Sequence, residues 1–313
     1  MSMIIPVSPD RYEDALRCLL GRRRGVAMKA VVERLTAEGR MPRGSLMAAE
    51  TPEGRFVAAS FMVPGAGRTV SIMVSSPRGS NGAACCEAVL KSAIESLASW
   101  PVDLAQALLL PGDTAMLGVY EACQFFRLAE LHTMSMAIRS RRPAAELPRG
   151  VTLREATKDE LPIILDQTYV DTQDCPRLRG LRRTSDIVAG HRAGGEVVPT
   201  LWQTILRDGQ PVGCVLMTCD RAAVADLAYI GLIPAARGCA IAGAVLRVMI
   251  NRLPACGIRT LRLAVDAANT PATQLYRQLG FKKTQIQIAV IRSARELQAV
   301  DPQEQDVHKK STP

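Results

Sequence analysis

A strand, a tight turn carrying a glycine and a helix start, in that order, make a place to hold phosphate. Residues 225–253 have that order: the apolar run Ala225 to Ile233 ends at Pro234, Ala235-Ala236-Arg237-Gly238-Cys239-Ala240 makes a short basic turn, and an apolar helix is expected from about Ile241 to Leu253. Unpaired backbone N–H groups at a helix start, aided by the helix dipole, suit a pyrophosphate. Two side chains nearby could move protons. Asp226 is the only carboxylate on its strand, where desolvation would raise its pKa, or else it marks the strand's exposed beginning. Tyr276 offers a phenol of reference pKa ~10, or else a packing anchor.

The elements needed to position these residues occur twice. Residues 81–132 slide onto 237–288 without a gap, at an offset of 156. Gly82 meets Gly238, Ala88-Val89-Leu90 meets Ala244-Val245-Leu246, Thr114 meets Thr270, Tyr120 meets Tyr276 and Phe125 meets Phe281. Glu53-Gly54 and Asp208-Gly209 read as matching turns between strands. Each half therefore reads as a strand, a helical segment, three or four antiparallel strands, a helix, a strand, a helix and a closing strand. The helix after Ala240 has apolar residues at Ile241, Val245, Val248, Met249 and Leu253, a helical period with one face inward. The halves differ where chemistry would sit: Arg237-Gly238 becomes Asn81-Gly82, Asn269 becomes Asp113, and Gly280 becomes Gln124. Arg78-Gly79-Ser80-Asn81-Gly82 remains a second place that could hold an anion.

Bulk properties narrow the class. The chain has 313 residues, 48% hydrophobic and 22% charged, enough for two cored domains. No run of ~18 uncharged apolar residues is present, and the N-terminus lacks signal-peptide features, so a cytoplasmic protein without membrane attachment is expected. Nine cysteines show no zinc-type pairing, and three histidines leave little for a metal site or a histidine-based hydrolase. Net charge is +9, with +4 from residues 1–150 (18 basic, 14 acidic) and +5 from the rest. That excess is diffuse, and aromatics are only 4%, which argues against nucleic-acid binding.

The Gly turn after Leu232-Ile233-Pro234, with Asn269, Leu275-Tyr276 and Gly280-Phe281 downstream, resembles the GCN5-related N-acetyltransferase (GNAT) superfamily. The resemblance is good over residues 151–295 and faint over 1–138, and the tandem arrangement is similar to the two-domain type that includes mycothiol synthase. It implies an α+β (α/β) fold: two tandem GNAT-like domains, each a mixed, mostly antiparallel sheet flanked by helices. The expected divisions are a degenerate domain at 1–138, a linker at 139–150, a domain with the acyl-CoA site at 151–298, and a disordered tail at 299–313. The implied activity moves an acetyl (acyl) group from acetyl-CoA, without a metal, to a primary amine of a small molecule or a protein N-terminus. The alternative is a weakened acyl-CoA-binding or scaffold protein. Oligomeric state is left open.

The resemblance also assigns roles. Ile230 and Leu232 would turn backbone amides toward the thioester oxygen. The family's phosphate pattern falls on Arg237, Gly238, Cys239, Ala240 and Ala242. It departs at Ala240, where the family has glycine, and Gly243 follows closely enough to relieve crowding. Asn269 would contact CoA or cap a helix. Tyr276 would protonate the leaving sulfur, and Asp226 stands where a Glu base can lie. Over the acceptor cleft, Asp174 or Asp266 would hold a cationic amine. Arg177, Arg179, Arg182 and Arg183 would instead hold a carboxylate or phosphate, or be a solvated face.

Overall fold

The central strands show why the chain layers as it does. In the computed structural model, Val215 and Met217 pack into one apolar cluster, while Cys214 and Leu216, their alternating neighbours, pack into another. A strand apolar on both faces needs helices on both faces. The structure describes residues 2–39, 41–139, 143–220 and 223–294. The expected tail from 299 lies outside them.

The chain order begins β1 (Met3–Pro6), α1 (Tyr12–Leu20), α2 (Arg22–Ala37), β2 (Leu46–Glu50), β3 (Phe56–Gly65), β4 (Thr69–Val74), α3 (Gly82–Ser96), β5 (Leu104–Leu109), α4 (Thr114–Ala122) and β6 (Phe126–Ala137). It continues with β7 (Val151–Glu155), α5 (Glu160–Thr168), α6 (Thr184–Ala193), β8 (Glu196–Arg207), β9 (Gln210–Cys219), β10 (Val224–Leu232), α7 (Ile241–Arg252), β11 (Thr260–Asp266), α8 (Thr270–Gln278) and β12 (Lys282–Ser293). The offset of 156 carries α4 onto α8 and β6 onto β12 residue for residue. Arg139 and residues 143–150, the described part of the expected linker, hold no helix or strand.

The contacts divide the chain into two compact units, Met1–Arg127 with Val290–Pro313, and Leu128–Ala289. In the first, the strands run β1-β2-β3-β4-β5 with the end of β12 beside β5. Its helices α1 and α2 bury Ala15, Leu16 and Val32 against Ala48, Ala59 and Phe61. In the second, the order is β12-β6-β11-β10-β9-β8-β7; β10 and β11 pair parallel, while β6 with β11, β10 with β9, β9 with β8 and β8 with β7 pair antiparallel. Its helix α7 presents Ile241, Val245, Leu246, Met249 and Ile250 to the larger core cluster, as its period requires. Fully burying each such side chain contributes about 1.5–3 kcal/mol.

One connection departs from the two-fold reading of the sequence. The closing strand of the first repeat, β6, does not close the first unit. It lies in the second, antiparallel to β11, with Thr260 opposite Ala137 through to Asp266 opposite Leu131. Sequence repeats cannot specify which copy of a strand fills a slot, because either copy fits.

A chain cut at a protease site inserted between Ala145 and Glu146 should therefore stay together, the two fragments co-eluting on size exclusion until denaturant is added. Fragments that part under native conditions would mean each repeat closes its own sheet.

Candidate active site

The site begins with a missing set of hydrogen bonds. β10 and β11 run parallel but pair only at Val224–Thr260, Ala225–Leu261 and Asp226–Arg262. Beyond that they part, while β10 stays bonded to β9 as far as Leu232–Gly213, and β11 to β6 as far as Asp266–Leu131. The inner edges of both strands are thus left open. Ile233 donates its amide to Val212 O at 2.9 Å, so by strand alternation Leu232 and Ile230 turn theirs away from β9, into the gap. Leu232 O does point away, since it accepts from Arg237 Nε at 3.0 Å. A cleft of about 450 Å³ occupies the gap, wholly within the second unit.

One end of the cleft is the start of α7. Gly238 takes φ +74 with open space at its Cα, and both it and Ala242 line the cleft. The first bond into the helix, Ala244 N to Ala240 O, leaves the amides of Ile241, Ala242 and Gly243 without helical partners. Such a start suits an anion. Ala240 is the helix N-cap at φ +56, the left-handed region that glycine adopts freely and alanine does not. Cys239 and Ala240 are solvent-exposed and outside the cleft lining, and Gly243 is buried where an added Cβ would press on Leu275. Gly243 thus serves the packing of α7 on α8.

Arg237 lines the cleft, yet its guanidinium is committed elsewhere. It donates to Leu232 O, Asp171 O, Thr168 O and Val170 O at 2.6–3.0 Å. It therefore fastens the end of α5 and the loop after it to the end of β10. Anion binding here falls to backbone amides.

The other end holds Tyr276. It is buried at 7% exposure, packs on Phe281 at 5.6 Å and lines the cleft. Its hydroxyl has no hydrogen-bond partner among the described residues. Burial first, then the charge of Asp174, push its pKa up, so it stays a neutral proton donor. The equivalent Tyr120 of the first unit is different: its hydroxyl donates to Ile72 O at 2.8 Å. There β4 and β5 also pair at only three positions, ending at Ser71–Gln106, and Ile72 is the next residue. The first unit's gap is thus bridged by its own tyrosine. Asn269 caps α8 through Ala272 N, as Asp113 caps α4 through Met116 N, and Asn269 also lines the cleft.

Asp174 is exposed at the cleft, on a loop that desolvates one side of its carboxyl. That partial desolvation, more than the neighbouring Asp266 charge, raises its pKa. Its Oδ1 accepts from Asp266 N at 3.1 Å, and Asp266 Oδ2 accepts from Cys175 N at 3.3 Å. This exchange staples the loop to the end of β11. Asp226 is not brought to the cleft: Arg262, its register partner, binds both its oxygens at 2.7 Å. Arg182 also lies outside the lining and donates to Asp186 O at 3.1 Å.

Sequence reasoning missed Tyr229. A bulge in the β9–β10 ladder between Leu227 and Tyr229 turns Ala228 and Tyr229 into the same cluster under α5. The Tyr229 phenol lies across Gly231, where any Cβ would collide with it. Its hydroxyl meets Thr168 Oγ1 at 2.8 Å, and its ring packs at a tilt against those of Tyr169 and His191, with centroids 5.3 and 5.5 Å away. Burial and the Arg182 charge depress the pKa of His191 to about 4, keeping it neutral. The signal available in the sequence was the glycine inside a strand, which marks close approach.

Comparisons with known proteins bear on the family and the fold. Residues 165–281 match the model of the acetyltransferase (GNAT) family. Those residues are a GNAT domain. No curated protein sequence matches the chain. Among solved structures, a GCN5-related N-acetyltransferase from Sphaerobacter thermophilus is 17% identical, covers 94% of this chain and 96% of its own, and has a TM-score of 0.63. A GCN5-related glucosamine N-acetyltransferase region of a fungal multi-domain GH3 β-N-acetylglucosaminidase is 11% identical, covers 93% of this chain and 38% of its own, and scores 0.58. Both show the fold. The chain shares that fold over most of its length, and in each of its two units the strand pairing is mixed and flanked by helices. No helix among the described residues is long and apolar enough to cross a membrane, and no cluster of three or more metal-type ligands occurs among them.

Removing the Tyr120 hydroxyl leaves Ile72 O unpaired in the first unit, so Tyr120→Phe should cost about 1–3 kcal/mol by urea unfolding, whereas Tyr276→Phe should change stability by less than about 0.5 kcal/mol. Equal losses would mean that both hydroxyls are bonded alike. Ala240→Gly should raise stability by up to about 1 kcal/mol, since left-handed backbone costs alanine about 1–2 kcal/mol and glycine returns part of that in entropy. A clear loss would place Ala240 in ordinary backbone.

Proposed function

We propose that the second unit is an N-acyltransferase moving an acetyl (acyl) group from acetyl-CoA to a primary amine by direct attack. The observation that carries this reading is the uncommitted Tyr276 hydroxyl inside the gap between β10 and β11. Acetyl-CoA would supply an activated acyl carbon on a thiol leaving group. The residues fit it: the α7 amides and Gly238 suit the diphosphate, and the open edge of β10 suits the amide-bearing arm that follows. The Ile230 and Leu232 amides are aimed where the acyl oxygen gains charge, a contribution worth several kcal/mol in such sites. Tyr276 would give its proton to the departing sulfur. Arg237 acts by holding the acceptor loop rather than by touching phosphate.

A binding protein without turnover would need the helix start and the open strand edge, but would have no use for a buried phenol left without a partner. In the first unit that phenol is bonded away, which supports reading that half as a retained frame. The nine free thiols suit a reducing compartment, in keeping with a cytoplasmic enzyme. The acceptor is a small-molecule amine or a protein N-terminus.

Saturating acetyl-CoA should raise the unfolding midpoint by several degrees, because it binds the folded state alone. Tyr276→Phe should keep that shift while slowing transfer by about 10²-fold. Undiminished transfer would return Tyr276 to packing, and no thermal shift in the parent protein would remove the activity altogether.

A further inference from the structure

The charges around the cleft narrow the acceptor, provided the transferase reading above holds. Among the described residues lining the cleft, the charged ones are Asp171, Asp174 and Arg237. The Arg237 guanidinium is held by four main-chain carbonyls and has little left for an incoming anion. None of the arginines at 177, 179, 182 and 183 lines the cleft. The acceptor wall is therefore acidic, with no uncommitted cation among its described residues. The Asp174 carboxylate is fixed in place, since its Oδ1 is bonded to Asp266 N. It lies close enough to both Tyr229 and Tyr276 for its charge to raise the pKa of each phenol. Independently of these acids, Tyr276 is 7% exposed, lines the same cleft and keeps its hydroxyl without a partner among the described residues, as a site awaiting a ligand does. The ring of Tyr229, braced over Gly231, adds an aromatic surface to this wall, and such surfaces attract cations.

We propose that the acceptor is a cationic primary amine with no carboxylate or phosphate beside its nitrogen, and that Asp174 holds the ammonium and takes its first proton. The ammonium gives that proton to the Asp174 carboxylate, which becomes a neutral acid and later releases it to the water of the cleft. The freed amine nitrogen forms its bond to the acyl carbon as the carbon–sulfur bond breaks. Sulfur takes the Tyr276 proton. The nitrogen, now carrying one proton too many, returns that proton to the Tyr276 oxygen, leaving an amide, a free thiol and an unchanged enzyme. An acceptor carboxylate beside the nitrogen would face Asp174 and Asp171 without a counter-charge.

The test compares amines that differ only in that carboxylate: tyramine with tyrosine, histamine with histidine, and agmatine with arginine. Each decarboxylated member should be acetylated with at least tenfold higher kcat/KM. Asp174→Asn should raise the amine KM at least tenfold and shrink that preference, and Asp174→Glu should recover part of it. The acetyl-CoA Kd, followed by calorimetry, should stay within twofold in both variants. Equal or better use of the amino acids overturns the inference, as does an unchanged preference in Asp174→Asn, or rejection of all six amines by protein that binds acetyl-CoA. Failure to bind acetyl-CoA at all would instead sink the transferase reading itself.

Discussion

Two parallel strands that stop sharing hydrogen bonds after three residue pairs create everything else in the second unit's site. A buried strand edge with unpaired N–H and C=O groups is costly, and it persists only if something supplies partners. Here the protein supplies some of them: Arg237 takes Leu232 O, and the outer ladders to β9 and β6 hold each strand rigid. The remaining amides are left for a ligand. The first unit begins the same gap and then meets the cost internally, with Tyr120 reaching across to Ile72. One hydroxyl thus separates a closed scaffold from an open cleft.

Much of this was legible in the sequence. The period of Ile241, Val245 and Met249 located α7, and the match of Tyr120 to Tyr276 located α4 and α8 together. The sheets flanked by helices and the two-unit plan followed. Gly238, Ala242, Asn269, Tyr276, Ile230, Leu232 and Asp174 do share one cleft. What escaped was set by partners distant in the chain. Asp226 looked like an isolated carboxylate because the register of β10 on β11, which delivers Arg262 to it, is a property of strand pairing and not of either segment. Arg237 looked like a phosphate ligand because its true partners are carbonyls some 70 residues earlier. The bulge at Ala228, which reverses the side on which Tyr229 falls, leaves no mark in composition.

The loop between α5 and α6 is held at two places. Arg237 ties it to the turn before α7, and the Asp174–Asp266 exchange ties it to β11. Its position is therefore fixed by main-chain contacts on both sides, while Thr172, Gln173 and Asp174 remain available to the cleft. Such a loop can vary its side chains, and hence its acceptor, without altering how the acyl donor is held.

The placement of β6 bears on how the halves have fared. Strand β11, which forms one wall of the gap, leans on residues encoded before the second repeat begins. Deleting the first repeat would strip that wall of its neighbour and bare an adhesive edge. What the first repeat supplies to the second unit is therefore carpentry: whatever its own gap does, β11 cannot spare the strand that braces it.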